Sequence, residues 1–171
     1  FMASESVSQS IGTKGTFAYA APEQFDRETY GQVDWSTDLF QVGIVFYQML
    51  TGVNPFMADE LARVMGLILT KTPDPPSKYN PEISTELDEI VMKCIEKKKE
   101  DRWRSTDVVY SQLKDMEKKK LVSLKKYRRS LERALKDGII SEDEDVMLSE
   151  LREHMSISDS EHSALVDEIM K

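Results

Sequence analysis

The stretch GTFAYAAPEQF, residues 15–25, places a carboxylate directly after a proline inside an otherwise apolar run. Within it, Glu23 follows Ala21 and Pro22, and the neighbouring residues are mostly small or aromatic. An ionised carboxylate among apolar groups is costly unless a cation neutralises it. A guanidinium is the best such cation because it can bind both carboxylate oxygens at once. The sequence therefore predicts that Glu23 has a cationic partner elsewhere in the chain.

The charge of the chain is distributed unevenly along its length. The 171 residues carry a formal net charge of −8, and residues 141–171 alone hold ten acids and two bases. The remaining residues are therefore close to neutral, which predicts two physically different parts. A negative chain is also a poor ligand for nucleic acid, so we expect no nucleic-acid partner.

Cysteine usage and the chain start give expectations about cellular context. Cys94 is the single cysteine, so a disulfide within the chain is excluded and a reducing compartment, the cytoplasm, is expected. No stretch has the pattern of a secretory signal peptide. The chain begins with Phe1 rather than Met, from which we expect a fragment, a processed chain or a trimmed one.

The longest apolar run, LFQVGIVFYQML at residues 39–50, predicts a helix that is buried on nearly all sides. It is shorter than the roughly 20 apolar residues that a membrane span needs, so no membrane partner is expected. We expect the helix to run from Asp38 to Thr51, with Gly52 just past its end.

Periodic apolar residues and capping residues predict further helices along the chain. One is predicted at residues 59–70, one after a cap at Ser84 or Thr85, and one after a cap at Thr106. A turn of helix is also expected to start at Pro22, where the missing amide hydrogen costs nothing. No stretch predicts a strand, so the expected fold class is mainly α.

The last third of the chain differs from the rest in its charge and its helical pattern. Residues 118–136 are strongly basic and helical, and a stripe of apolar side chains predicts their buried face: Leu121, Leu124, Tyr127, Leu131 and Leu135. Capping boxes at Ser141 and Ser158 predict two more helices. We expect a small helical hairpin or bundle over residues 117–171, separate from a first domain at residues 1–116.

The basic helix of this extension admits more than one partner. It could bind nucleic acid or a membrane surface, or it could lie against the acidic helices that follow, which the opposite charges favour. A calcium loop starting at Asp137 would need an oxygen donor where Ile139 stands, and His154 and His162 have no cysteine near them. We therefore expect no metal site, and treat both histidines as surface residues.

Three blocks in register carry a resemblance to a known family. GTFAYAAPEQF, then STDLFQVGIVFYQMLTGVNPF, then CIEKKKEDRWRSTDVV, resemble the second half of a protein kinase domain, of the serine/threonine rather than the tyrosine type. The resemblance runs from about Phe1 to about Met116. It implies the helical subdomain of a kinase C-terminal lobe, without the N-terminal lobe.

The resemblance implies a role for residues on both sides of the apolar helix. It pairs Glu23 with Arg102 in a structural ion pair, although Arg104 is a competing partner and both charges could instead be solvated. It also makes Asp38 the anchor that accepts hydrogen bonds from the catalytic loop. An acid at that position is equally an ordinary favourable charge at a helix N-terminus.

Residues before the Ala-Pro-Glu sequence are implied to face the substrate. Gly15 and Thr16 match the positions that line the substrate cleft, although a plain Gly-Thr turn is the alternative. Ser8, Ser10 and Thr13 stand where phosphorylation of an activation loop usually falls. At least two of these three hydroxyls are expected to be ordinary solvated groups.

Several kinase motifs do not occur in the 171 residues. The sequence has no glycine-rich loop, no Val-Ala-Ile-Lys strand, no His-Arg-Asp loop and no Asp-Phe-Gly. Phosphoryl transfer requires these parts, so the chain alone is expected to be inactive, with no catalytic residue and no cofactor. The resemblance implies ATP and Mg²⁺ for the full-length kinase, with a protein substrate.

The missing parts leave the partners and the class of function open. Expected partners are the absent N-terminal lobe and catalytic loop, or a second copy bound through the exposed apolar face. One alternative function is a non-catalytic helical interaction module. Another is an unrelated helical bundle, which predicts no contact between Glu23 and Arg102.

Overall fold

A computed structural model describes residues 15–136 and 138–171 of the chain. Within those residues every regular element is helical and no strand occurs, which confirms the mainly α fold class. The chain divides into two compact units, Phe1–Gln112 and Leu113–Lys171. None of the helices in the described part is long and apolar enough to cross a membrane.

The helices follow one another closely along both units. A turn of helix covers residues 15–17. The helices after it are α1 (Pro22–Phe25), α2 (Arg27–Tyr30), α3 (Trp35–Thr51), α4 (Leu61–Thr70), α5 (Thr85–Cys94), α6 (Thr106–Ala134), α7 (Glu142–Met155) and α8 (Asp159–Ile169). Short 3₁₀ turns at Pro76–Lys78 and Lys99–Asp101 stand before α5 and α6.

Helix α3 begins three residues earlier than the sequence predicted. Asp34, rather than a residue near Asp38, is its N-cap: the carboxylate accepts a hydrogen bond from the amide of Ser36 at 2.9 Å. The amide of Asp34 in turn donates to the hydroxyl of Thr37 at 3.3 Å. The predicted end is confirmed, because Gly52 adopts the left-handed conformation that stops the helix.

The prediction that α3 is buried on nearly all sides is wrong. Phe40, Ile44 and Tyr47 are buried in the core of the first unit. Other apolar residues of α3 are exposed and lie along one side of the helix, and we call them the α3 outer stripe: Trp35, Val42, Val45 and Met49. The apolar run therefore has two faces, of which the structure covers one.

Gly43 allows α3 to lie directly against α5. A Cβ atom at this position would stand 2.7 Å from Cβ of Cys94 and 2.7 Å from Cγ2 of Ile95. Real Cβ atoms do not approach that closely, so any larger residue must push the two helices apart. The absence of a side chain at Gly43 therefore permits this close approach.

The helix caps agree with the sequence in part. Ser84 caps α5 by accepting a hydrogen bond from the amide of Leu87, as predicted. Helix α6, however, is capped by Ser105, whose hydroxyl accepts from the amide of Val108, and not by Thr106. Helix α6 also runs without a break through the expected domain boundary at residue 116.

The second unit has a small core of its own. Tyr127, Leu131 and Leu148 are buried in it together with Ala134 and Ile157. Both predicted capping boxes are present, with the hydroxyls of Ser141 and Ser158 at the starts of α7 and α8. The prediction that Leu121 lies on the buried face is wrong, because its side chain is exposed.

Candidate functional site

Glu23 and Arg102 form a bidentate ion pair in the interior of the first unit. The two guanidinium nitrogens lie 2.9 Å from the two carboxylate oxygens, one nitrogen on each oxygen. Both side chains are completely shielded from solvent. The structure thus brings together two residues that stand 79 positions apart in the sequence.

Arg102 uses every hydrogen-bond donor that its guanidinium carries. Besides the two bonds to Glu23, Nε donates to the carbonyl of Glu96 at 2.8 Å. The remaining two N–H groups donate to the carbonyls of Ser36, at 2.9 Å, and Lys97, at 3.0 Å. A fully satisfied guanidinium is the condition under which a buried charge is tolerated. These bonds also fix where α3 begins relative to the turn that follows α5.

Thr37 completes the carboxylate side of the pair and was not singled out from the sequence. Its hydroxyl donates to the Glu23 carboxylate at 2.7 Å. Burial raises the pKa of Glu23, but the hydrogen bonds from Arg102 and Thr37 outweigh burial and hold that pKa below its usual range. Because Thr37 also accepts from the amide of Asp34, one hydroxyl joins the cap of α3 to the ion pair.

Aromatic rings flank the pair, and a second cation stands against them. The Arg102 guanidinium lies 4.7 Å from the centroid of the Phe40 ring, which stacks on Phe56 with 6.0 Å between centroids. The ammonium nitrogen of Lys97 lies 4.1 Å from the Phe56 centroid. This nitrogen is buried and has no hydrogen-bond partner among the described residues. Burial, together with the charges of Arg102 and Lys71, lowers the pKa of Lys97 to about 8.

The other charged candidates face solvent. Arg104 is exposed, so it does not replace Arg102 as the partner of Glu23. Asp38 is exposed in the first turn of α3, on the same side of the helix as Val42 and Val45. Its implied ligand, a catalytic loop, is not among the motifs of this chain. The role of Asp38 therefore stays a prediction.

A cleft of about 300 Å³ lies between residues 16–25 and α3. Its lining includes the predicted substrate residue Thr16, and the complete set is Thr16, Phe17, Ala20, Gln24, Phe25 and Gln41. Gln41 donates to the side-chain carbonyl of Gln24 at 3.0 Å and so ties the segment to α3. Gly15 is half-buried beside Thr16. The predicted phosphorylation sites Ser8, Ser10 and Thr13 lie outside the described residues.

In the second unit, His162 differs from the surface residue that the sequence predicted. Its Nδ1 atom lies 2.7 Å from the hydroxyl of the buried Tyr127, and the two rings meet edge to face. Burial and the nearby charge of Arg152 lower the pKa of His162, while Asp145 acts in the opposite direction. His154 is exposed, as expected.

The basic helix docks on the acidic segment partly through charge. Lys120 pairs with Glu161 at 2.7 Å, and Arg128 pairs with Glu168 at 2.9 Å, so two ion pairs join α6 to α8. Exposed pairs of this kind contribute little individually. Tyr127 and Leu131 of the same helix are buried in the core of the unit, where the burial of apolar surface stabilises the docking more strongly.

Comparison with known proteins shows what the first unit is similar to. The protein kinase domain family matches residues 2–113. The serine/threonine-protein kinase PknB of Mycolicibacterium smegmatis is 35% identical over 100 residues, which are 58% of this chain and 16% of that protein. A probable serine/threonine-protein kinase of Clostridium perfringens is 32% identical over 117 residues, 68% of this chain and 17% of that protein.

The matched relatives are much longer than the chain. Serine/threonine-protein kinase Pkn1 of Myxococcus xanthus is 38% identical over 92 residues, which are 53% of this chain and 13% of the relative. The chain therefore spans less than a fifth of the length of these relatives. Among solved structures, a twitchin kinase region from C. elegans matches with a TM-score of 0.47 and 22% identity, over 59% of this chain and 17% of that chain.

Proposed function

This chain belongs to the protein kinase family, and we propose that it is the C-terminal lobe portion of a serine/threonine kinase domain. In the full-length protein this domain transfers the γ-phosphoryl group of ATP, with Mg²⁺, to hydroxyls of protein substrates in the cytoplasm. Here the chain supplies the floor of the substrate cleft, around Gly15 and Thr16, and the helical scaffold beneath it.

The buried ion pair between Glu23 and Arg102 is the observation that carries this proposal. A desolvated, fully hydrogen-bonded pair fixes the segment that bears Thr16 on the N-terminus of α3. Catalysis of phosphoryl transfer depends on positioning of the acceptor hydroxyl. A kinase needs such a rigid platform under its substrate segment, whereas a simple binding helix does not.

We propose that the α3 outer stripe and Asp38 form the surface on which the catalytic loop, which is not part of this sequence, packs. Val42, Val45 and Met49 leave between 46% and 77% of their surfaces exposed. An apolar stripe with a carboxylate at one end suits a loop that brings both apolar side chains and backbone amides. We propose that the catalytic loop of the parent kinase occupies this face, or that a second copy does so in its absence.

The experiment compares phosphoryl transfer by two proteins. The 171-residue chain is incubated with radiolabelled ATP, Mg²⁺ and a mixed protein substrate, beside a longer product of the same gene that includes the upstream coding segment. We expect no incorporation with the short chain and incorporation with the longer protein. Transfer by the short chain would contradict the proposal, and so would an inactive longer protein that nevertheless encodes the glycine-rich loop and the catalytic aspartate.

Paired arginine variants of the longer protein connect that activity to the ion pair. Arg102→Gln strands the carboxylate of Glu23, so we expect activity to fall together with folded content. Arg104→Gln is the matched control, since Arg104 is exposed, and it should retain activity. Equal activity in both variants would show that the pair does not support the site.

A non-catalytic interaction module is the second candidate, and the exposed α3 outer stripe favours it. In that case the gene encodes no upstream catalytic segment, and the stripe is the binding surface. Val45→Asp, at the centre of the stripe, would then abolish partner binding without unfolding the first unit. Under the kinase proposal the same change instead removes activity from the longer protein.

A further inference from the structure

One side of α6 carries an uninterrupted positive face that points away from the core of the second unit. The exposed residues of this side repeat at helical spacing, and we call them the α6 basic face: Lys118, Val122, Lys125, Lys126 and Arg129. They lie opposite Tyr127 and Leu131, which face the core. Among the described residues, none of the four cations of this face has a carboxylate partner. The face is about 16 Å long at 1.5 Å per residue.

Helix α7 carries a negative face of the same length and spacing. Its exposed residues are Glu142, Val146, Glu150 and Glu153, which we call the α7 acidic face. Both faces place a charge at the first position, a valine four residues later and further charges eight and eleven residues after the first. The two valines, Val122 and Val146, are 46% and 56% exposed. Each face therefore offers a charged border around one apolar contact.

The second unit as a whole is almost neutral, although its charges are segregated. Residues 113–171 hold fourteen acids and twelve bases. The second unit therefore adds little to the long-range repulsion between two copies of the chain, whose net charge is −8, while a phosphate backbone or an anionic membrane would meet the repulsion of the α7 acidic face. The apolar side of α6 is already occupied by the core of the unit, so the helix is not free to insert into lipid.

We propose that the second unit is a self-association module, in which the α6 basic face of one copy packs on the α7 acidic face of another. Each copy presents one face of each kind, so the contact joins two copies head to tail and leaves one basic and one acidic face of the pair free for further copies. Its contact is small and polar, and the resulting dimer is weak and dissociates in salt.

Charge-reversal variants of the 171-residue chain test this proposal. Lys125→Glu with Arg129→Glu makes the α6 face acidic, and Glu150→Lys with Glu153→Lys makes the α7 face basic. All four changes keep good helix formers, and circular dichroism verifies the fold. We expect each double variant to be monomeric by sedimentation equilibrium, and an equimolar mixture of the two to dimerise, because opposite faces meet again in the mixed pair.

Salt dependence and a net-charge control complete the design. Raising NaCl from about 0.1 M to about 1 M shortens the Debye length from about 10 Å to about 3 Å, and we expect the dissociation constant of the natural dimer to rise by about tenfold or more. Arg63→Glu with Arg104→Glu, both exposed in the first unit, makes the same change in net charge and should leave the dimer unchanged.

Four results would overturn the proposal. The first is a natural chain that is monomeric at low salt and high concentration, and the second is a mixture of reversed variants that stays monomeric. The third is a dimer that survives both reversals and 1 M salt, which would place the contact on the α3 outer stripe instead. The fourth is a monomer that binds duplex DNA or phosphatidylserine vesicles through the α6 basic face. None of these results depends on whether the longer protein is an active kinase.

Discussion

The two units of this chain are stabilised by charge in opposite ways. In the first unit, one guanidinium and one carboxylate, 79 residues apart, meet in a fully buried bidentate pair. In the second unit, the ion pairs are partly exposed, and helix ends are fixed by residues three positions apart, such as Ser158 and Glu161. A single buried polar contact therefore joins distant segments of the first unit on top of its apolar core, while the polar contacts of the second unit are mostly local or partly exposed.

Removal of the buried guanidinium of Arg102 should cause the largest loss of stability. Arg102→Gln leaves the carboxylate of Glu23 buried without its charge partner, so we expect the first unit to lose about 3–5 kcal/mol of stability. Urea unfolding followed by tryptophan fluorescence measures this, because Trp35 and Trp103 both lie in the first unit.

The exposed neighbour supplies the comparison for this prediction. Arg104→Gln removes an arginine that faces solvent, and it should change stability by less than about 0.5 kcal/mol. A loss in Arg102→Gln as small as that in Arg104→Gln would mean that the buried pair does not hold the unit.

A methyl group at Gly43 should produce the next largest effect. Gly43→Ala places a Cβ atom 2.7 Å from atoms of Cys94 and Ile95, and the resulting overpacking should cost about 1–3 kcal/mol. Gly66→Ala is the matched control within α4, where a Cβ atom meets nothing within 4 Å. There the better helix propensity of alanine should stabilise the unit by up to about 1 kcal/mol. Stability changes of the same sign in the two variants would contradict the close approach of α3 and α5.

The cation of Lys97 should weaken the first unit at neutral pH. The folded-state pKa of about 8 lies below the value for an unfolded lysine. Between these two values the unfolded state binds more protons, so stability should rise as pH increases from about 8 to about 10. The gain should be about 1–2 kcal/mol after allowance for solvent screening.

Replacement of Lys97 isolates its own contribution from those of other titrating groups. Lys97→Met keeps the length of the side chain and removes the charge from beside Phe56. We expect this variant to be more stable than the natural chain at pH 7 and to lose the rise in stability above pH 8. A difference between the two proteins that does not vary with pH would show that the ammonium group is not desolvated.

The sequence predicted those parts of the molecule that local chemistry determines. The left-handed stop at Gly52, the cap at Ser84 and the capping boxes at Ser141 and Ser158 all depend on residues within four positions of one another. The family resemblance supplied the long-range pairing of Glu23 with Arg102, because nothing in local patterning distinguishes Arg102 from Arg104.

What the sequence missed depends on contacts between distant segments. Thr37 links the cap of α3 to the ion pair, and Lys97 lies against the Phe56 ring. In the sequence, neither residue differs from an ordinary exposed polar residue. The exposure of Val42 and Met49 was missed for the same reason, since an apolar residue indicates that a surface can be covered but not what covers it. A signal for Thr37 was present in the first turn of α3, where a hydroxyl can reach back toward the preceding segment.

The smallest of these effects belongs to the second unit and to His162. Burial and the charge of Arg152 lower the pKa of this ring, so between that lowered pKa and the ordinary value of about 6.5 the unfolded state binds more protons than the folded one. Stability of the second unit should therefore fall as pH decreases from 7 through 6, and His162→Gln should remove that dependence. The ring proton signals of the two histidines in NMR give the direct measurement, with His154→Gln identifying which signal is which. A midpoint for His162 at or above 6.5 would show that burial and the charge of Arg152 do not lower the pKa of this ring.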